Sequence, residues 1–321
     1  MLDVLVAGGG AWGTALALQA ERAGARTGLW LRNPQAAARV RETRRNDRLP
    51  GVALPDSIAV TDDLAAAARL VLLAVPAQHL RTVSRRLAGG APVVACAKGI
   101  EAGTSLLPLE ILAATQAGVA CAVLSGPNFA HELAAGLPAA TVAASVHAGL
   151  RAQVAEALGT PLFRIYGNDD PVGVQIGGAA KNVVAIAAGV VTGAGLGENA
   201  RAALVTRGLA ELARLALALG GRAETVAGLS GLGDLLLTCT GAASRNFGLG
   251  LALGRGATAA AALAGSSGVV EGVTTGPALM DRAGKLGLDL PICGAVAALV
   301  TGATSPDAAI GALLARKRRD E

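Results

Sequence analysis

Aromatic side chains are scarce in this sequence: two Trp, one Tyr and three Phe among 321 residues. A surface that holds nucleic acid by stacking bases needs more rings than that. The basic balance, 28 Lys+Arg against 23 Asp+Glu, therefore does not indicate a nucleic-acid binder. It rests on Arg runs at Arg39–Arg48 and Arg316–Arg319, read as solvated faces and, secondly, as a general preference for small anions. The three histidines (His79, His131, His147) form neither HxxxH nor HExxH, so no zinc site and no metal is expected. Cys96, Cys121, Cys239 and Cys293 lie far apart without a CxxC and read as reduced core thiols.

Charge is sparse as well. Charged residues make up 16% of the chain and hydrophobic ones 52%, which excludes a disordered polar chain. The apolar content comes from Ala, Gly, Leu and Val. The longest charge-poor segment, Pro171 to Gly197, is expected to be broken by its glycines, so no membrane-spanning helix is expected. The start, MLDVLVAGGG, lacks a basic n-region and carries Asp3, unlike a signal peptide, so a cytoplasmic location is expected. At about 150 residues per domain, the length suggests two domains, large enough to need no disulfide or metal staple.

The first half alternates. Val4–Ala7, Thr27–Leu31, Leu70–Val75, Pro92–Ala97, Ala120–Leu124 and Ala140–Ala144 read as short strands, and Ala15–Ala23 and Arg39–Arg45 as helical stretches. Strand runs that are continuously apolar rather than alternating point to a mainly parallel sheet covered on both faces. After about Asp170 the chain turns Ala/Leu-rich with helical spacing, as in Arg201–Leu219, Ala257–Leu263 and Thr275–Leu286. The expected architecture is α/β: a doubly wound dinucleotide-binding domain over 1–172, followed by an all-helical domain over 173–321.

Gly8-Gly9-Gly10-Ala11-Trp12-Gly13 fits G-x-G-x-x-G directly after a strand and before a helix. In that setting Gly8 allows the tight turn, Gly10 lets backbone approach a pyrophosphate, and Gly13 lets helix and strand pack closely. The phosphates would rest on N–H groups at the helix start. Among 44 glycines the motif alone is weak, and its strand–turn–helix context makes it informative. An NAD site usually places an acid about 20 residues further on, for the ribose hydroxyl. Here the second strand ends Leu29-Trp30-Leu31-Arg32-Asn33-Pro34, without an acid. The Arg32 guanidinium suits a 2′-phosphate, so NADP(H) is expected to serve at least as well as NAD(H).

Two charges are isolated. Lys181 is the only one between Asp170 and Glu198, and Asp234 the only one between Glu224 and Arg245. If these segments are interior, each unpaired charge costs several kcal/mol, against a total stability of about 5–15 kcal/mol. Pairing or a catalytic pocket is the economical explanation. Burial would lower the lysine pKa and a neighbouring carboxylate would raise it, and the sequence leaves open which prevails. Ser244-Arg245-Asn246 offers a hydroxyl, a guanidinium and an amide to a phosphate or carboxylate. Lys98-Gly99 and Ser125-Gly126-Pro127-Asn128 follow predicted strands at the carboxyl edge, where open α/β sheets bind ligands.

These features, with GGGAWGTALA, LLAVPAQ, AKGIE, LSGPNFA, GGAAKNVVAIAAG, NARAALVTRGLAE, GLSGLGDLLLTCT, SRN and VEGVTT in this order, resemble the bacterial NAD(P)-dependent glycerol-3-phosphate dehydrogenase family over nearly the whole chain. The resemblance implies a catalytic Lys181 acting at the substrate's C2 oxygen, together with Asp234. It implies substrate contacts from Lys98, Gly126, Asn128, Lys181, Asp234, Ser244, Arg245 and Asn246, with Asn128 standing where the family usually has Ser or Thr. It implies cofactor contacts from Gly8, Gly10, Ala11, Trp12, Gly13, Arg32, Lys98, Ala130, Arg245, Val269 and Glu271. The implied activity is reduction of dihydroxyacetone phosphate to sn-glycerol 3-phosphate with NAD(P)H, for phospholipid synthesis, by a protein that is commonly a homodimer. Two alternatives stay open: a β-hydroxyacid dehydrogenase with a similar Lys-Asn pair, and a dinucleotide-binding redox sensor without catalysis.

Overall fold

The computed structural model of the chain describes residues 1–316 apart from 242, 266 and 267. Most of the basic tail, 317–319, therefore lies outside the described residues. Eight strands form one sheet: β1 (Leu2–Ala7), β2 (Thr27–Trp30), β3 (Ala59–Thr61), β4 (Ala68–Leu73), β5 (Val93–Ala95), β6 (Cys121–Ser125), β7 (Ala139–Ala144) and β8 (Phe163–Asn168). Their order is β3-β2-β1-β4-β5-β6-β7-β8. The reversal between β1 and β4 is the switch point of a doubly wound dinucleotide fold. All neighbours pair parallel except β6 and β7, which run antiparallel, Leu124 opposite Ala143. The sequence reading missed β3 and β8, the two edge strands. β3 is too short to show a pattern, and β8 (FRIYGN) buries only its first residue.

Two compact units result. The first comprises Met1–Ala97 and Leu107–Gln175 and contains the sheet. Its core gathers Val4, Val6, Leu16, Leu29, Leu72, Val94, Leu124 and Phe163 from strands and covering helices. The second comprises Lys98–Leu106 and Ile176–Glu321 and contains helices only, among the described residues. This differs from a single division at 172/173 in one stretch. Residues 98–106 belong with the helices, because Asn182 Nδ2 donates to Lys98 O (2.9 Å), Ser105 Oγ to Asp281 Oδ2 (2.5 Å) and Arg282 Nη1 to Ser105 O (2.9 Å).

The glycines up to Gly193 do not break that segment; the break comes at Gly195 (φ +70), before the next helix starts at Gly197. Pro171–Gly193 is one uninterrupted helix of 23 residues. By length and composition it is apolar enough to cross a bilayer, yet its apolar window is wholly buried inside the protein. Its glycines serve close approach. A Cβ on Gly189 would lie 2.2 Å from Phe247 O, and one on Gly250 would lie 1.9 Å from Ile186 O. Two helix backbones touch there, which no larger residue allows.

Candidate active site

The glycine loop of the first unit leaves β1 at Ala7 and opens the helix Ala11–Arg22. Gly8 has φ +137, and a Cβ there would lie 2.4 Å from Ala74 O. A Cβ on Gly13 would lie 1.8 Å from Gly8 O. Gly10, the N-cap, is different: a Cβ there meets nothing within 4 Å. The loop carbonyls turn into the protein, Gly9 O accepting from Asn46 Nδ2 (3.0 Å) and Gly10 O from Thr14 Oγ1 (2.9 Å). Open space therefore lies beside a helix start whose first turn carries no acidic residue. First-turn N–H groups have no acceptor within their own helix and bear partial positive charge. A dinucleotide pyrophosphate fits these residues.

Trp12 and Ala130 are half-buried and pack against the sheet core, as supports of the site. Arg32 is exposed, just beyond β2, and β2 pairs parallel with β1, so both end at the same edge. β6 ends there too, and Gly126 and Asn128 follow it. A Cβ on Gly126 would lie 2.8 Å from Thr141 Cα. Asn128 Nδ2 donates to Ala140 O (3.0 Å), which fixes the amide orientation and makes Oδ1 an acceptor. Asn128 Oδ1, Ser125 Oγ and Thr141 Oγ1 are buried side-chain atoms with no hydrogen-bond partner. Unsatisfied polar atoms in this number, at a ligand-binding edge, mark a polar site rather than packing.

In the second unit the isolated charges meet. Lys181, midway along the Pro171–Gly193 helix, is buried, and so is Asp234, which is 1% exposed. Lys181 Nζ donates to Asp234 Oδ1 (2.5 Å) and to Thr238 Oγ1 (2.8 Å). Lys98 Nζ donates to the other carboxylate oxygen, Asp234 Oδ2, at 2.7 Å. Thr238 in turn donates to Asp234 O (2.6 Å), one turn back on the helix Asp234–Thr240. Local packing explains the meeting. Gly177 lies one turn before Lys181 on the same helix face, and a Cβ there would lie 2.8 Å from Ser230 O. The missing side chain admits the π-helical turn Leu229–Gly233, which delivers Asp234 to the lysine. π-turns of this kind interrupt regular helix where a side chain must be re-aimed.

Two ammonium groups share one carboxylate, so the cluster carries an excess positive charge in an apolar setting. Burial dominates the lysine: its pKa falls from 10.5 to about 8. The Asp234 carboxylate opposes that fall and the Lys98 cation adds to it. Of the two influences the sequence left open, burial prevails.

The Ser-Arg-Asn cluster opens the helix Arg245–Gly254. Ser244 is its N-cap, accepting from Phe247 N (3.2 Å), so part of that hydroxyl's capacity serves the helix. Asn246 Nδ2 donates to Asn182 Oδ1 (2.9 Å), and Asn246 Oδ1 accepts from Gly272 N (3.0 Å). With the bond from Asn182 to Lys98 O, this amide chain ties together the backbone of Lys98, the 245 helix and the helix Glu271–Lys285. Arg245 is exposed and runs so close to Gly268 that a Cβ there would lie 2.8 Å from Nη1. Exposed Val269 and half-buried Glu271 follow at once in the chain. The structure thus brings Lys98, Lys181, Asp234 and Asn246 into one bonded network and sets Arg245, Val269 and Glu271 along one border of the second unit. Gly8–Gly13, Arg32, Gly126, Asn128 and Ala130 lie at one sheet edge of the first. Sequence reasoning missed Thr238 and the bridging role of Asn182. Thr238 carried one signal, its spacing of one helical turn from Asp234.

Residues 3–150 match the N-terminal domain, and residues 170–311 the C-terminal domain, of NAD-dependent glycerol-3-phosphate dehydrogenase. The chain belongs to that family. Among its glycerol-3-phosphate dehydrogenase (NAD(P)+) members, the protein of Acidiphilium cryptum is 53% identical over 320 residues, 99% of this chain and 98% of its own length. That of Bradyrhizobium sp. (strain BTAi1) is 51% identical over 324 residues, 99% of this chain and 98% of its own. The crystal structure of glycerol-3-phosphate dehydrogenase from Coxiella burnetii superposes with a TM-score of 0.93 at 36% identity, covering 98% of both chains. Membership of this glycerol-3-phosphate dehydrogenase family decides against the β-hydroxyacid dehydrogenase and the non-catalytic sensor.

Proposed function

We propose that this chain reduces dihydroxyacetone phosphate reversibly to sn-glycerol 3-phosphate with NAD(P)H, Lys181 being the proton donor at the C2 oxygen. One observation carries the assignment of Lys181: a buried ammonium lowered to about 8 and held between Asp234 and Thr238. Bound NAD(P)H supplies the hydride. The glycine loop and the N-terminus of the Ala11–Arg22 helix hold its pyrophosphate, and Arg32, Ala130, Arg245, Val269 and Glu271 complete the cofactor contacts.

An ammonium has three N–H bonds. Two are occupied by Asp234 and Thr238, and the third is available to the substrate oxygen. Negative charge develops on that oxygen during reduction, and the excess cation of the Lys98–Asp234–Lys181 cluster stabilises it. Once Lys181 has given up its proton, Lys98 and Asp234 remain as a balanced pair, so the product state leaves no uncompensated buried charge. Arg245, Asn246, Ser244 and Lys98 bind the substrate and its phosphate; the family resemblance gives Gly126 and Asn128 a substrate role as well. A pKa near 8 lets the same lysine give a proton in one direction and take it in the other.

The product is the phosphorylated backbone that phospholipid synthesis consumes. A cytoplasmic homodimer belongs to the same proposal and rests on the family resemblance. Light scattering of the purified chain checks the dimer. The activity is tested by following NADPH and NADH absorbance with dihydroxyacetone phosphate added. Reduction should weaken as pH rises through about 8, while glycerol 3-phosphate oxidation strengthens. No turnover with either cofactor refutes the assignment.

A further inference from the structure

Residues 98–106 form a strap that leaves the sheet unit after Ala97 and returns at Leu107. Its first residue, Lys98, makes half of the contact with Asp234. Resting on the function proposed above, we infer that Ser105, Asp281 and Arg282 are positioning residues that pin the far end of this strap and thereby hold the Lys98 ammonium on Asp234.

The strap is built to move as one body. Glu101 N donates to Leu106 O (3.0 Å), Ser105 N to Glu101 O (2.9 Å) and Thr104 Oγ1 to Glu101 Oε2 (2.5 Å). Ile100 at its centre is fully buried, and Glu101 is 8% exposed. Both ends of the strap bond to charged or amide side chains of the helices. At the near end, Lys98 meets Asp234 and Asn182. At the far end, Ser105 donates its hydroxyl to Asp281 Oδ2 (2.5 Å) and accepts from Arg282 Nη1 at its carbonyl (2.9 Å). Both partners sit on the helix Glu271–Lys285, and Lys285 Nζ also donates to Asp281 Oδ2, at 2.7 Å. Ser105 is 3% exposed, and its φ of 60 is one that only glycine adopts freely. A β-carbon in that conformation persists where the surroundings over-determine it, and the two bonds from Asp281 and Arg282 do so here. Because the strap is cross-linked within itself, freeing Ser105 loosens the whole loop and draws Lys98 off the carboxylate.

The test uses the full-length enzyme. Ser105→Gly deletes the hydroxyl while suiting the backbone conformation, Asp281→Asn weakens the acceptor, and Arg282→Lys serves as the conservative rescue of the cation. The KM for dihydroxyacetone phosphate should rise about three- to tenfold in Ser105→Gly and Asp281→Asn, the range expected for indirect coupling, with a smaller change in the KM for NADPH, most of whose contacts lie outside the strap. The alkaline limb of reduction should also move to higher pH. Lys181 would then keep Asp234 to itself and lose the neighbouring Lys98 cation, while Cys239, the remaining titratable neighbour, is unaltered. Arg282→Lys should restore both quantities toward wild type, relative to Arg282→Ala. A lowered melting temperature with unmoved substrate KM and unmoved pH limb overturns the inference, since that is the signature of a purely structural contact. Failure of the wild-type enzyme to turn over dihydroxyacetone phosphate would instead refute the function itself, so the two failures are distinguishable.

Discussion

The two units build their sites from opposite materials. In the sheet unit the site is made by leaving side chains out. Gly8 and Gly13 are bare because carbonyls lie where a Cβ would be, and Gly10 is bare toward open space. Its ion pairs, such as Asp3–Arg26 and Arg39–Asp47, stay on the surface, where they contribute little. In the helical unit the site is made by putting charges where water is excluded: Lys181 and Asp234 are buried. Glu211 is buried there too, its carboxylate accepting from Ile292 N and Cys293 N, and burial raises its pKa. Holding a dinucleotide requires exposed backbone donors and tolerates solvent. For a lysine to move a proton near neutral pH its ordinary pKa must be displaced, and burial displaces it.

That contrast breaks most sharply at Lys181. Lys181→Met should lower kcat by about 10²- to 10⁴-fold, the range for loss of a general acid, while cofactor affinity by calorimetry stays within error. Near-wild-type turnover would dissolve the distinction between the units. Asp234→Asn should cost roughly 10²-fold in kcat, as loss of one preorganised electrostatic partner does. It should also shift the alkaline limb of reduction below its wild-type position near pH 8, because the carboxylate is what holds the lysine pKa up. An upward shift would contradict the geometry. On the other side of the comparison, Gly8→Ala adds one carbon at a positive φ against Ala74 O. It should weaken cofactor binding and cost about 1–3 kcal/mol of stability, with kcat at saturating cofactor little altered. The smallest effect is expected at exposed Arg32. Arg32→Ala should reduce the kcat/KM ratio of NADPH over NADH by about tenfold, the worth of one charge-assisted contact. A ratio that does not change removes the 2′-phosphate role.

Legibility followed the same division. The glycine loop could be read because its requirement is local: a strand, a turn and a helix within a dozen or so residues. Lys181 and Asp234 stood out by their solitude in apolar sequence, and the structure places them in contact. Their third partner could not be foreseen. Lys98 joins Asp234 across 136 positions, and nothing at Lys98-Gly99 distinguishes a strand-end lysine from one that belongs to the helices. The π-turn at Leu229–Gly233 was invisible for a related reason. Its glycines look like an ordinary loop until Gly177, on another helix, supplies the space they occupy. The glycines of the Pro171–Gly193 helix misled outright, because helix propensity marks them as interruptions whereas packing against Phe247 O and Leu251 O uses them.

Those same glycines have a bearing on how the protein acquires its native state. Each lowers the intrinsic helicity of the segment by about 1 kcal/mol relative to alanine, and an isolated stretch of this composition would not hold a helix in water. The segment becomes helical by docking. The lysine it carries therefore has no preorganised geometry until the second unit has closed around it, and before that it is an ordinary solvated ammonium.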